Sequence, residues 1–339
     1  MKAFSITGIK QVTQIDVAEP IVGPNDVCVE VHYIGLCGSD LNTYRGLMPL
    51  VTLPRIPGHE ISGIVIKKGE NVNDKIKIGD KVTVLPYTNC NSCAACKAGR
   101  PNACKYNETL GVQRDGALTS LITVPDNKIF ISHSLSLKEL VLVEPLSVGY
   151  HATNRAKITN SDTVLIIGCG AIGTGALIAS AHKKATVIAM DVDDSKLHLA
   201  NKFGAQYLIN TSKVDALNMI NQITQNVGVN VVVEAAGNQQ TYDIAFNTIS
   251  YAGRIVFIGY PKNKVSIDAA LMIKKELNVY GSRNALNVFP SVIEMLEKKD
   301  KPYEDIITKV FPFEKTPEAF DYWDKNAATV TKILIELKK

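Results

Sequence analysis

Four cysteines, Cys90, Cys93, Cys96 and Cys104, fall within fifteen residues in the spacing Cys-x2-Cys-x2-Cys-x7-Cys. Four thiolates so spaced can close a tetrahedron around zinc and leave no coordination position open, so the metal they would hold is structural. Spacing alone leaves an iron–sulfur cluster or a pair of disulfides open. Asn89, Asn91, Ser92, Lys97, Gly99 and Asn102 are polar turn formers, which gives the segment little core of its own. Metal binding would then supply its folding energy.

A second, dispersed set could do catalysis. Cys37 lies in the glycine-flanked loop Gly35-Leu-Cys37-Gly-Ser39-Asp40, and His59 and Glu60 lie in Pro57-Gly58-His59-Glu60. Glu144 follows the apolar Val141–Val143 and precedes Pro145, which is expected to open a helix over Leu146–Lys157 at its first position. A carboxylate in apolar company is costly unless a cation pairs with it, although a helix N-terminus alone would also favour an acid there. Cys37, His59, Glu60 and Glu144 offer the sulfur, nitrogen and oxygen donors of a catalytic zinc. Each loop by itself also fits an ordinary structural turn, and the sequence leaves open whether the four meet in space.

A third pattern points to a dinucleotide. Thr163–Ile167 reads as a short buried strand, and Gly168, Gly170 and Gly173 follow as G-x-G-x-x-G. The first glycine permits a tight turn, the second lets backbone approach a pyrophosphate, and the third lets helix and strand pack closely. Ala171 and Ile172 complete the turn, and the helix N-terminus suits an anion. Asp191 ends the next strand, 18 residues after Gly173. A carboxylate there accepts hydrogen bonds from both ribose hydroxyls and repels a 2′-phosphate, so NAD is expected over NADP. Ala235–Gly237 (with Ala236 at its centre), Gly259–Tyr260 and Ser282–Asn284 (with Arg283) follow later strands and are candidates for the nicotinamide side.

Two kinds of element must position these groups. Before Asp162 the chain reads as short strands between glycines and prolines: Val27–Tyr33, Ile61–Lys67, Lys81–Pro86, Ala117–Val124 and Ile129–Ile131, a β-rich, barrel-like domain. In the first strand Val27, Val29, Val31 and Tyr33 face a core, and Cys28, Glu30 and His32 are expected on the sheet surface. From Thr163 strands and helices alternate: helix Ser195–Phe203, strand Ala205–Ile209, helix Val214–Asn226, strand Val229–Glu234, helix Tyr242–Ile249, strands Arg254–Ile258 and Lys275–Tyr280. That alternation makes the fold class α/β with a doubly wound parallel sheet. The 339 residues suffice for two domains, and 46% hydrophobic with 21% charged residues is ordinary for a globular chain. A net charge of +4 with no basic block excludes a nucleic-acid or membrane-surface protein, and the N-terminus carries no apolar signal core. Cytoplasm is the expected location, where seven cysteines are metal ligands or inert core residues rather than disulfides.

Together the motifs resemble the zinc-dependent medium-chain dehydrogenases/reductases, the alcohol and polyol dehydrogenase family. Gly58-His59-Glu60-x-x-Gly63 with Gly69 and Val72 is similar to that family's zinc signature, and Cys37, the cysteine lobe, Glu144-Pro145 and the glycine motif occur in its order. The resemblance implies a GroES-like catalytic domain over 1–150, completed by 286–339, with a Rossmann domain over 151–285. It implies two zinc ions per chain: a structural one in the lobe, and a catalytic one on Cys37 and His59 with Glu60 or Glu144 as third ligand or partner of its water. Ser39 matches the relay hydroxyl, whereas Asn42 stands where many members carry a histidine. The segments GVQRDGALTS, EAAGNQQ and KKELNVYGSRNA are most similar to bacterial sugar-acid dehydrogenases of the L-gulonate or L-galactonate 5-dehydrogenase kind, then to galactitol 1-phosphate dehydrogenases. Reversible oxidation of a secondary alcohol of a polyol or sugar acid by NAD is the implied activity, in a homodimer or homotetramer. The alternatives are a threonine-dehydrogenase-like or simple alcohol dehydrogenase, and a member that kept the cofactor and lost catalysis. Arg55, Arg283 and Asn284 are the groups offered to a substrate carboxylate or phosphate.

Overall fold

The computed structural model describes residues 1–338 and divides into two compact units. The first comprises Met1–Glu144, Phe289–Lys299 and the chain from Tyr303 onward, and the second Pro145–Val288 with Asp300–Pro302.

The first unit is built on the eleven-residue strand Asp26–Leu36. Along one edge it pairs with Glu60–Lys68. Along the other it pairs first with Leu121–Pro125 and then with Lys332–Glu336, so it is interior throughout. Lys81–Val84, Ile129–Ile131 and Ile307–Pro312 extend this seven-stranded sheet. Val27, Val29, Ile34, Leu36, Ile61 and Val65 are fully buried in its core, together with Phe320 of the helix Thr316–Lys325. Cys28 was expected on a sheet surface and is instead buried, at 2% exposure. Its cross-strand partners Thr123 and Lys67 flank it on both sides. Glu30 and His32 are half-buried, 3.4 Å apart.

The register of this sheet matters for chemistry. Gly35 pairs with Glu60 and Leu36 with Ile333, so the C-terminal end of one strand meets the N-terminal ends of two others. Cys37, Glu60 and Lys332 therefore emerge at one place, although they are distant in sequence. Gly35 is required there, because a Cβ on it would lie 2.0 Å from Glu60 Oε2. The expected strand Ala117–Val124 is regular only from Leu121. Its first part supports the His59 loop instead: Gly116, Ala117 and Leu118 donate backbone hydrogen bonds to Ile56, Gly58 and Pro57.

The second unit has the α/β architecture expected from the sequence. Its sheet is six-stranded and parallel, with Tyr207–Asn210, Thr186–Asp191, Thr163–Ile167, Val229–Glu234, Ile249–Phe257 and Asn278–Gly281 lying side by side in that order. By sequence this is 3-2-1-4-5-6, the doubly wound order of dinucleotide-binding sheets, and it reverses beside the first strand. Several boundaries differ from expectation, for example Ile249–Phe257 where Arg254–Ile258 was expected and Gln239–Thr248 where Tyr242–Ile249 was expected. The helix after Leu142 spans Val143–Arg155, so Pro145 sits third in the first turn, where its missing N–H costs no intrahelical bond. The final strand is Asn278–Gly281, and a short helix Ala269–Lys274, N-capped by Asp268 accepting from Leu271 N, occupies the stretch before it.

Candidate active site and cofactor turn

Cys37 ends the long strand and opens the helix Gly38–Tyr44, with Asp40 accepting its backbone N–H at 2.8 Å. His59 sits on a loop clamped by close backbone approach. A Cβ on Gly111 would meet Gly58 N at 2.7 Å, and one on Gly116 would meet Pro57 O at 2.4 Å. Asp115 reinforces the clamp, accepting from Ile56 N at 3.2 Å and pairing with Arg55 at 2.9 Å. Arg55 is thus engaged in building the loop.

Donor atoms of Cys37, His59 and Glu60 lie within 4.8 Å of one another, and Glu144 falls outside that triplet. His59 is 5% exposed; its Nδ1 has no hydrogen-bond partner and lies 4.0 Å from Asp40 Oδ1, which also lacks one. A histidine whose second nitrogen faces a carboxylate has the orientation commonly found in metal ligands. Glu60 is fully buried, and Lys332 Nζ reaches both its oxygens, at 2.6 and 2.7 Å, while also donating to Leu36 O at 2.9 Å. Glu144, 3% exposed, accepts a hydrogen bond from the Tyr87 hydroxyl.

The electrostatics call for a cation. Burial by itself would lower the His59 pKa, but Cys37, Asp40 and Glu144 overcome it and hold the imidazole well above its ordinary value. Burial pushes the Glu60 carboxyl up and Glu144 pushes it further, against the pull of Lys332. Burial also raises Asp40. Three carboxyls and a thiol thus lie close to two basic groups, the Lys332 ammonium and the His59 imidazole, and buried charge is unfavourable unless it is paired. A divalent ion of the kind that takes sulfur, nitrogen and oxygen donors fits this set.

In the cysteine lobe the four sulfurs form a second cluster within 4.8 Å. Cys93–Cys96 and Cys90–Cys104 sulfurs are 3.6 Å apart and Cys93–Cys104 3.9 Å. A tetrahedral zinc with bonds of about 2.3 Å requires edges of about 3.8 Å. Hydrogen bonds from Ser92 and Cys93 bring the Cys90 thiol down to about 6, whereas burial and the neighbouring sulfurs push Cys96 up to about 12. A cation is what allows all four to ionise. Every cysteine among the described residues is free of disulfides.

The glycine turn has the form its sequence predicts. Gly168 has φ +88°, and a Cβ on Gly173 would lie 1.8 Å from Gly168 O. Gly170 caps the helix Ala171–His182 and has open space where its Cβ would be, so its backbone is open to the approach of a phosphate group. Ala171 and Ile172 are half-buried beside it. Asp191 ends its strand with Oδ2 accepting from Cys169 N at 2.7 Å and Oδ1 from Val192 N at 2.7 Å. Beyond the fourth strand, Ala236 is exposed, and Gly237 and Gly259 approach so closely that a Cβ on Gly259 would meet Gly237 N at 2.5 Å. Arg283 and Asn284 are half-buried after the last strand. Gly173→Ala is expected to weaken NAD binding about tenfold or more, the cost of forcing a methyl group into a closed turn; calorimetric titration that found unchanged affinity would contradict this reading of the turn.

Four residues of these sites escaped the sequence reading. Lys332 and Tyr87 carry no motif, and their pairing with Glu60 and Glu144 is visible only in three dimensions. Asp40 lay in the quoted loop, three residues after Cys37, where its spacing for a helix-capping carboxylate was the available signal. Glu234 is fully buried and accepts from Ala236 N, Gly237 N and Thr241 Oγ1, fixing the turn after its strand.

Residues 23–133 match the family model of the alcohol dehydrogenase GroES-like domain, and residues 171–298 that of the zinc-binding dehydrogenases. The chain is 33% identical to the sorbitol dehydrogenase of Bacillus subtilis, over 95% of this chain and 93% of that one. It is 30% identical to the L-galactonate-5-dehydrogenase of Escherichia coli K12, over 89% of each. An alcohol dehydrogenase from Escherichia coli CFT073, solved in complex with NADH, superposes with a TM-score of 0.92 at 28% identity over 99% of each chain. The chain belongs to the zinc-dependent alcohol and polyol dehydrogenases, oxidoreductases that act on CH–OH groups.

Proposed function

We propose that this dehydrogenase oxidises, reversibly, a secondary alcohol of a polyol or sugar acid, with NAD as hydride acceptor. The observation that carries the reading is the meeting of sulfur, nitrogen and oxygen donors from Cys37, His59 and Glu60 within 4.8 Å of one another. Cys37 and His59 hold a catalytic zinc, Glu60 completes the triplet and Glu144 stands beside it; Cys90, Cys93, Cys96 and Cys104 hold a structural one. A zinc ion at the first site supplies Lewis acidity, lowering the pKa of a hydroxyl as it lowers that of water from about 15.7 to about 7. NAD supplies the acceptor for the hydride.

The chain's own residues do the rest. Ser39 Oγ is buried without a hydrogen-bond partner and takes the hydroxyl proton, while the carbon gives up its hydride, so that the alcohol becomes a ketone. Asn42 cannot pass that proton on as a histidine does, and it leaves from Ser39 to water or a cofactor ribose, or through Glu144. Gly168, Gly170, Ala171, Ile172 and Gly173 receive the pyrophosphate, Asp191 the ribose, and Ala236, Gly259 and Arg283 the nicotinamide side. Arg283 and Asn284 are the groups offered to a substrate carboxylate; Arg55 pairs with Asp115 beside the His59 loop.

Sorbitol and L-galactonate are the substrates that the names of the two relatives point to, one neutral and one anionic. An NAD-reduction screen across hexitols, hexonates, sugar phosphates and amino-alcohols tests the proposal: turnover of a hexitol or hexonate above the others is expected, and selective turnover of an amino-alcohol or a phosphate would overturn it. Asp191→Ser is expected to lower the NAD-to-NADP ratio of kcat/KM by about tenfold or more, because two charge-assisted hydrogen bonds to the ribose are lost. An unchanged ratio would show that selectivity lies elsewhere. The reading also places the enzyme in the cytoplasm, consistent with seven unpaired thiols, as a homodimer or homotetramer, which light scattering in solution would measure. No helix among the described residues is long and apolar enough to cross a membrane.

A further inference from the structure

Each of the two glutamates near Cys37 has a buried side-chain partner of its own. Lys332 contacts both oxygens of Glu60, and an ammonium cancels the carboxylate's charge. Glu144 Oε1 accepts a hydrogen bond from the hydroxyl of Tyr87, a neutral donor that orients the carboxyl group. Both partners of this second pair are buried, at 6% and 3% exposure. Glu144 also acts electrostatically on His59, Glu60 and Lys332, which puts its charge within reach of the whole cluster.

Tyr87 is itself fixed by its backbone. It forms a β-bridge with Thr109, and the flanking residues are stitched the same way, Leu110 N to Pro86 O at 3.1 Å and Thr88 N to Glu108 O at 3.2 Å. Tyr87 lies three residues before Cys90 and Thr109 five after Cys104, so this bridge closes the base of the cysteine lobe. The sequence of supports runs from the lobe, through the bridge, to the Tyr87 hydroxyl and the Glu144 carboxylate. Outer partners of this kind set the orientation of carboxylates at metal centres.

We propose that Tyr87 is a positioning residue of the catalytic metal centre, holding the Glu144 carboxyl oriented beside Cys37 and His59. This rests on the reading of Cys37 and His59 as metal ligands. Tyr87 contributes no donor to the ion; it decides how Glu144 faces it, and the base of the structural lobe decides where Tyr87 stands.

The test is metal affinity, measured by competition with a chromophoric chelator on the full chain, and the visible spectrum of the same site loaded with cobalt(II). Tyr87→Phe removes only the hydroxyl. It is expected to weaken binding of the more weakly held ion about 10- to 100-fold and to shift the cobalt bands. In a Glu144→Gln background the same substitution is expected to add less than about twofold, because the carboxyl group it positions is gone. An affinity and spectrum unmoved by Tyr87→Phe, or an equal loss in both backgrounds, would overturn the proposal and leave Tyr87 as packing. Failure of the underlying reading looks different: wild-type chain holding a single zinc, unaffected by Cys37→Ala, would overturn the metal centre and this proposal together.

Discussion

Replacing Cys37 by alanine is expected to reduce the zinc content from two ions per chain to one and to cut kcat/KM by about 10³-fold or more. The size follows from the several kcal/mol that Lewis-acid polarisation contributes, at about 1.36 kcal/mol per tenfold. NAD affinity should be unchanged, since the glycine turn and Asp191 belong to a unit of their own. Elemental analysis, steady-state kinetics and calorimetry on one preparation separate these effects. Full activity with two zinc ions retained would show that Cys37 is not a ligand. Loss of activity together with NAD binding would instead mean general damage, so the unchanged cofactor affinity is the control that gives the result its meaning.

The largest expected effect on stability is that of Lys332→Ala. Lys332 is 2% exposed and is the counter-ion of a glutamate that is fully buried. Removing one partner of such a pair costs about 3–5 kcal/mol, because the other charge stays behind without compensation. The sign of the pH dependence follows from Glu60. Burial raises its folded pKa to about 7, from an ordinary 4.5, so its contribution to stability is complete below pH 4.5 and is lost as pH rises through about 7. The variant's deficit should therefore be greatest above pH 7 and shrink toward acid, where Glu60 protonates. Adding zinc should reduce it as well, since a divalent ion replaces the missing positive charge. Denaturant titrations at three pH values, with and without zinc, measure all of this. A deficit under about 1 kcal/mol in zinc-free protein at pH 8 would show that Glu60 does not depend on Lys332.

Local patterns were legible in the sequence and distant pairings were not. The cysteine lobe is written in fifteen consecutive residues, and the glycine turn with Asp191 in twenty-four, so spacing and the character of the neighbours were enough to read them. Val229–Glu234 is likewise a continuous apolar run, and the strand has those bounds. Cys28 was misplaced because alternation along one strand reports a single sheet face, whereas this strand is interior and flanked on both edges. The helix carrying Glu144 begins two residues before the proline expected to open it, since the first turn tolerates proline at more than one position. Lys332 reads as an ordinary lysine at the start of an apolar strand. Its pairing with Glu60 spans 272 residues, and only the sheet register brings them together.

That register has a consequence for the order of events in the cell. A chain emerging from the ribosome presents Cys37 and Glu60 long before Lys332, which follows Glu60 by 272 residues. Until the last strand pairs beside Leu36, the acidic cluster has no counter-ion and no closed edge. Contacts of such long sequence separation form late. The site is thus completed by a lysine synthesised 272 residues after the glutamate it pairs with, and a chain truncated before Lys332 has the donors in its sequence without that ammonium.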